Sequence, residues 1–120
     1  MHISEKVSVC MISMNEEKAI YGVVKNIRKY CINSEVLLVD SSTDKTAEIA
    51  TKLGVKVIKQ FPPKGYGNAL ALAINSCSNE CIVTLDCDNT YPAEKILDFA
   101  KEIIENKYDI VDGSRLENKQ

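Results

Sequence analysis

Short β-branched or apolar runs alternate along the whole chain with stretches of helical periodicity, and that alternation limits the chain to one class of fold. Val7 to Ile12 is the first run, and Ala19, Ile20, Val23, Val24 and Ile27 then recur at three- and four-residue intervals, the apolar stripe of a helix ending near Tyr30. Ser13-Met14-Asn15-Glu16 carries the S-x-x-E spacing of a capping box, which predicts that Ser13 starts this helix. Glu35 to Val39 is the second strand, and the polar residues Asp40 to Asp44 offer N-caps for a helix from Lys45 to Leu53 that Gly54 terminates. Val55 to Ile58 is the third strand, followed by the loop Phe61-Pro62-Pro63-Lys64-Gly65 and a helix from Tyr66 to Asn75. Cys81 to Leu85 is a fourth strand, Pro92 suits the first turn of a helix from Ala93 to Glu105, and Tyr108 to Val111 is a fifth strand. This order predicts an α/β protein, a three-layer α/β/α sandwich with a mainly parallel, Rossmann-like sheet, right-handed crossovers and a stop soon after the fifth strand. With 120 residues and no linker or repeat, residues 1–120 are expected to form a single domain.

Composition narrows the function. Hydrophobic residues at 45% and charged residues at 27% are globular values. Fifteen Lys and Arg against 17 Asp and Glu give a net charge of -2, and no cluster of five basic residues occurs, so nucleic acid is not an expected partner. No apolar stretch approaches the roughly 18 residues of a membrane span, and Met1 to Lys6 is too short and polar for a signal peptide. A soluble, cytoplasmic chain, peripheral to a membrane at most, is expected. The five cysteines are irregularly spaced and lie in or beside apolar runs, as reduced core residues do. A zinc site from Cys77, Cys81 and Cys87 is the sharper alternative, but it lacks paired C-x-x-C spacing and a nearby His. The single His, His2, excludes a Ser-His-Asp or Cys-His arrangement within the chain.

In parallel sheets ligands bind beyond the carboxyl ends of the strands, so Asn15, Glu16, Asp40, Asp44, Lys64, Asp86 and Asp88 should crowd one edge. On an extended strand end the two-residue period points Asp86 and Asp88 of Asp86-Cys87-Asp88 to one side, where they can share a Mg or Mn ion. Capping of the next helix is the plainer reading of the same pair. A calcium loop fails here, since its sixth and twelfth positions would be Tyr91 and Leu97. The run Ile82 to Thr90 also resembles the D-x-D-x-T motif of haloacid dehalogenase-type phosphatases, with Asp86 as nucleophile and Asp88 as acid/base, although that motif belongs on an early strand. Lys64-Gly65-Tyr66-Gly67-Asn68 can bring backbone amides and a cation to a phosphate, or be an ordinary turn; Leu70 replaces the third glycine of a dinucleotide fingerprint. Arg115 in Gly113-Ser114-Arg115 can hold a phosphate or be solvated. Asp40 can accept hydrogen bonds from a base or ribose, or cap a helix with Thr43 and Asp44.

In this order the segments resemble the family 2 glycosyltransferases of GT-A fold. VSVCMISMNEEKAI (Val7 to Ile20) is similar to the family's opening strand and P-x-Y-N-E-E turn, with Ile12 and Met14 where Pro and Tyr are usual. VDSSTDKT (Val39 to Thr46) resembles V-D-D-G-S-x-D-G-T, KGYGNAL (Lys64 to Leu70) the glycine segment before the third helix, and LDCDNTYPAE (Leu85 to Glu94) the L-D-A-D metal motif. DIVDGSRL (Asp109 to Leu116) resembles the segment ending in G-S-R. The flavour is that of the dolichyl-phosphate mannose and glucose synthases, with Thr90 where a Gln often assists the metal. The resemblance implies inverting, metal-dependent hexosyl transfer from a UDP- or GDP-sugar to an acceptor such as a polyprenyl phosphate. It implies Mg or Mn on Asp86 and Asp88, with Asp88 catalytic, and contacts to the nucleotide-sugar from Ser13, Asn15, Glu16, Asp40, Lys64, Gly65, Asp86, Cys87 and Arg115. Family domains continue past G-S-R into an acceptor-binding half, so the resemblance covers the nucleotide-binding half. The alternatives are a non-catalytic nucleotide-sugar-binding half that needs a partner chain or a second copy at the sheet edge after Val111, and the phosphatase chemistry on Asp86.

Overall fold

The computed structural model describes residues 6–87, 92–106 and 110–112. The first strand, β1 (Val7–Ser13), is buried at all but one position, as expected of a central parallel strand covered on both faces. It is followed by α1 (Ile20–Tyr30), β2 (Glu35–Asp40), α2 (Thr46–Lys52), β3 (Lys56–Lys59), α3 (Tyr66–Ser76), β4 (Cys81–Asp86), a 3-10 turn (Ala93–Lys95), α4 (Ile96–Asn106) and β5 (Ile110–Asp112). The strands form one parallel sheet in the order β3-β2-β1-β4-β5, which is the expected α/β architecture.

Alternation along each strand divides the core in two. Val7, Val9 and Met11 of β1, Val36 and Leu38 of β2, and Cys81, Val83 and Leu85 of β4 face α1, α2 and α4, where Ile20, Val24, Ile27, Ala50, Ile96 and Ala100 meet them. Cys10, Leu37, Val39 and Ile82 face the other way, onto Ala69 and Ala73 of α3. The β1–β2 and β2–β3 connections step in one direction with their helices on the larger core. The β4–β5 connection steps in the opposite direction with α4 on that same core, so its hand is opposite to theirs. Uniform right-handed crossovers are therefore not observed. Ile96 and Ala100, both fully buried, close the larger core beside α1 and hold α4 on that side.

Two local expectations are corrected. Ser13 does not cap α1, which starts seven residues after it, at Ile20, behind a turn in which the Glu16 carbonyl accepts from the amides of Ala19 (3.1 Å) and Ile20 (2.9 Å). The Ser13 hydroxyl is drawn instead to a buried carboxylate on the next strand. Fourth-helix geometry also begins tighter than expected, with the 3-10 turn before α4. At the far, amino-terminal edge, Glu35 accepts from Ser8 Oγ (2.6 Å), Ser78 N (2.7 Å) and Ser78 Oγ (2.9 Å), tying the α3–β4 turn to β1 and β2.

Candidate functional site

The chain order runs outward from β1 to β3 on one side and from β4 to β5 on the other, which opens a crevice between the carboxyl ends of β1 and β4. Two groups of polar residues flank it, on opposite faces of the sheet.

The first group is a row across three strand ends. Register places Ser13 beside Asp40 and Asp40 beside Lys59, all on the α1/α2 face. Asp40 is fully buried: its Oδ1 accepts from Ser13 Oγ at 2.6 Å and from Ser42 Oγ at 2.5 Å, and its Oδ2 accepts from Lys59 Nζ at 2.6 Å. Burial alone would push its carboxyl pKa up, but the bonds from Lys59, Ser13 and Ser42 outweigh burial and hold it below the ordinary value. Lys59 also donates to the Ser42 carbonyl at 2.5 Å, so one ammonium bridges a strand end and the following loop.

Above this row the β1–α1 and β2–α2 loops are clasped. Asn15 takes a left-handed backbone, with φ of 58°, and its Oδ1 accepts from the amides of Thr43 (3.0 Å) and Asp44 (3.3 Å). Its own amide donates to Ser42 Oγ at 2.7 Å, and the Glu16 amide donates to Thr46 Oγ1 at 2.9 Å. Asp44, not Asp40, meets the start of α2, accepting from the Thr46 amide at 2.9 Å. Asp40 thus caps no helix, and the side chains of Ser13, Asn15 and Asp40 hold the two loops to the strand ends. Lys59 is the member of this row that the sequence pattern missed; its parity with Asp40 is visible only when the strand is carried one residue past Ile58.

The second group faces α3. Asp86 is exposed at the end of β4, pairs in register with Ile12, and lines a small recess with Cys10, Ile12, Thr84, Tyr66 and Leu70. Gly65 turns the chain into α3 with φ of 94°, in open space, and Asn68 Nδ2 donates back to the Lys64 carbonyl at 2.6 Å. Lys64 and Gly65 are both exposed at that helix start. Cys87 is placed differently from the expectation: its side chain is buried in the larger core, on the side of Leu85. Strand β4 ends at Asp86 and Cys87 lies in a turn. Asp88, Thr90 and Arg115 lie outside the described residues. A shared zinc on Cys77, Cys81 and Cys87 is not formed, since Cys77 packs on the α3 side and Cys81 and Cys87 on the other. None of the five thiols is in a disulfide, and burial pushes Cys31 up to about 11.

The sequence profile described as glycosyl transferase family 2 matches residues 8–120. The chain belongs to this family. It is 41% identical over 113 residues to a dolichyl-phosphate hexose transferase of Haloferax volcanii, covering 93% of this chain and 49% of that protein. It is 30% identical to the protein RfbJ of Shigella flexneri, covering 98% and 92% respectively. Among solved structures it resembles the mannosyltransferase PcManGT of Pyrobaculum calidifontis in complex with GDP-Man and Mn2+, with a TM-score of 0.68 and 26% identity over 77% of this chain and 30% of that one. The chain thus spans about half the length of the Haloferax relative. The phosphatase reading of Asp86 gains no support, because the motif sits on the fourth strand of a glycosyltransferase-family sheet.

Proposed function

We propose that this chain holds the nucleotide of a UDP- or GDP-sugar in the crevice between β1 and β4 and takes part in hexosyl transfer to an acceptor such as a polyprenyl phosphate. The observation that carries the proposal is the exposed Asp86 carboxylate at the strand end beside the start of α3, with the clasped loops around Asn15 and Asp40 across the crevice. A phosphate chain lying between them meets the backbone amides at the first turn of α3 and the Lys64 ammonium. Ser13, Asp40 and Lys59 keep the β2–α2 loop in place so that Asn15 and Glu16 present one fixed wall to the nucleoside.

The donors suit a hard divalent ion. Asp86 offers oxygen, the Cys87 thiol is turned into the core, and among the described residues no set of three His, Cys, Asp or Glu gathers to enclose a metal. An ion with few protein ligands leaves positions for water and phosphate oxygens, the habit of Mg and Mn. Asp86 and Asp88 would hold it, and when bound it offsets the negative charge that collects on a departing nucleoside diphosphate. The binding-only alternative differs in one respect: nucleotide is held and no sugar moves.

Calorimetry with UDP and GDP, with and without Mn, on the wild type and on Asp86→Asn and Asp88→Ala tests the reading. Metal-dependent binding that either substitution weakens at least tenfold is expected. Absence of metal-dependent binding to both nucleotides overturns it, and binding without transfer to a lipid phosphate selects the binding-only form.

A further inference from the structure

We infer that the outward face of α1 is a docking surface for an anionic lipid bilayer. Tyr21, Lys25, Arg28 and Lys29 recur at helical spacing and form one exposed stripe, opposite the buried Ile20, Val23, Val24 and Ile27, and exposed Ile32 follows in the turn just after the helix. The surface has an aromatic at one end, three cations in the middle and an aliphatic side chain at the other. Tyr21 is 55% and Ile32 62% exposed. The 11 residues of α1 contain no carboxylate, although the chain as a whole carries a net charge of -2.

None of the three cations is ion-paired among the described residues, and the Arg28 guanidinium lies beside Gly54. Among the described residues the ion pairs are Lys52 with Glu48 and Lys59 with Asp40, and neither involves this stripe. The Lys25 ammonium lies over the Tyr21 ring at 5.8 Å and the Lys29 ammonium over the Tyr30 ring at 5.2 Å, contacts that leave both charges open to an anion. Lys25, Arg28 and Lys29 also edge a shallow groove toward Leu53, and exposed Lys52 on α2 adds a further, paired cation nearby.

A bilayer with anionic headgroups complements this arrangement: tyrosine suits the interface, lysine and arginine stems lie along apolar surface with their charges at phosphate, and an aliphatic side chain enters the acyl boundary. Nucleic acid fits less well, since the patch is one helix long, ends in isoleucine and belongs to an acidic chain. The helix follows the loop that carries Asn15 and Glu16, so a bilayer along α1 lies beside the mouth of the crevice. The inference does not depend on the nucleotide reading, and nucleotide binding measured on the same variants separates the two.

The test is sedimentation of the full chain with phosphatidylcholine vesicles, with and without phosphatidylglycerol. Partition into the phosphatidylglycerol vesicles alone is expected, falling with added salt, and K25Q/R28Q/K29Q should weaken it about a hundredfold, at about fivefold per basic residue. Circular dichroism and nucleotide binding of that variant should be unchanged. Should the triple variant not fold, K25Q and R28Q singly each read the fivefold step, and Y21A/I32A reads the apolar part. No partition by the wild type, equal partition into uncharged vesicles, partition indifferent to the glutamine variants, or capture of an RNA oligonucleotide in preference to vesicles would each overturn the inference.

Discussion

Asp40 keeps a full charge at zero exposure because three donors reach it, and the donor of greatest consequence is Lys59. Removing one partner of a fully buried pair costs about 3 to 5 kcal/mol. Here the lysine is 47% exposed and two hydroxyls remain, so Lys59→Met should cost about 1 to 3 kcal/mol in urea unfolding. The same carboxylate sets an acid limb. Its folded pKa lies below the unfolded value, so its contribution is complete above about pH 4 and is lost as pH falls through the lower folded value. Stability should decline as pH falls below about 4, and Asp40→Asn should flatten that decline while lowering stability at pH 7. An unchanged slope in Asp40→Asn would assign the limb to other carboxylates, Glu35 first among them, whose pKa is also lowered.

At the scale of elements, the start of α3 separates two glycines that look alike in the sequence. Gly65 has φ of 94° and Gly67 sits within the helix without a positive φ, and a Cβ on either would meet open space. Gly65→Ala should therefore lose about 1 kcal/mol through backbone strain alone. Gly67→Ala should gain up to about 1 kcal/mol from helix propensity. A methyl group at the first turn of α3 also stands where phosphate would approach the amides. Gly67→Ala is expected to melt higher and yet bind nucleotide more weakly; a rise in both would show that phosphate does not approach that turn. The clasp between the β1–α1 and β2–α2 loops is built from side chain to backbone bonds across 27 to 30 residues of sequence, which is why its individual partners were not legible in the S-x-x-E and D-S-S-T-D patterns that mark its two halves.

For the molecule as a whole, nucleotide and metal should act as one stabilising ligand. At a nucleotide concentration about 100-fold above Kd, in the presence of Mn, the gain in stability is about 2.7 kcal/mol, readable as a rise in melting temperature. Asp86→Asn should abolish the Mn-dependent part of that rise, and a rise of equal size without Mn would count against a metal at Asp86. No helix among the described residues is long and apolar enough to cross a membrane.

The alternation of strands and helices was determined by the sequence alone, because periodicity and turn chemistry act within a few residues. The same locality brought the candidate residues to the carboxyl ends of β1, β2 and β4, where the structure has Ser13, Asp40 and Asp86. Tertiary structure decided their allegiances. Ser13 carries the local signal of a helix cap, but a fully buried carboxylate 27 residues away binds its hydroxyl instead. Strand pairing set Lys59 beside Asp40, and side-chain parity in the assembled sheet sent Asp86 to α3, Asp40 to α1 and α2, and Cys87 into the core. A local pattern holds no information on which strand lies next to which, and burial of the two apolar faces supplies it.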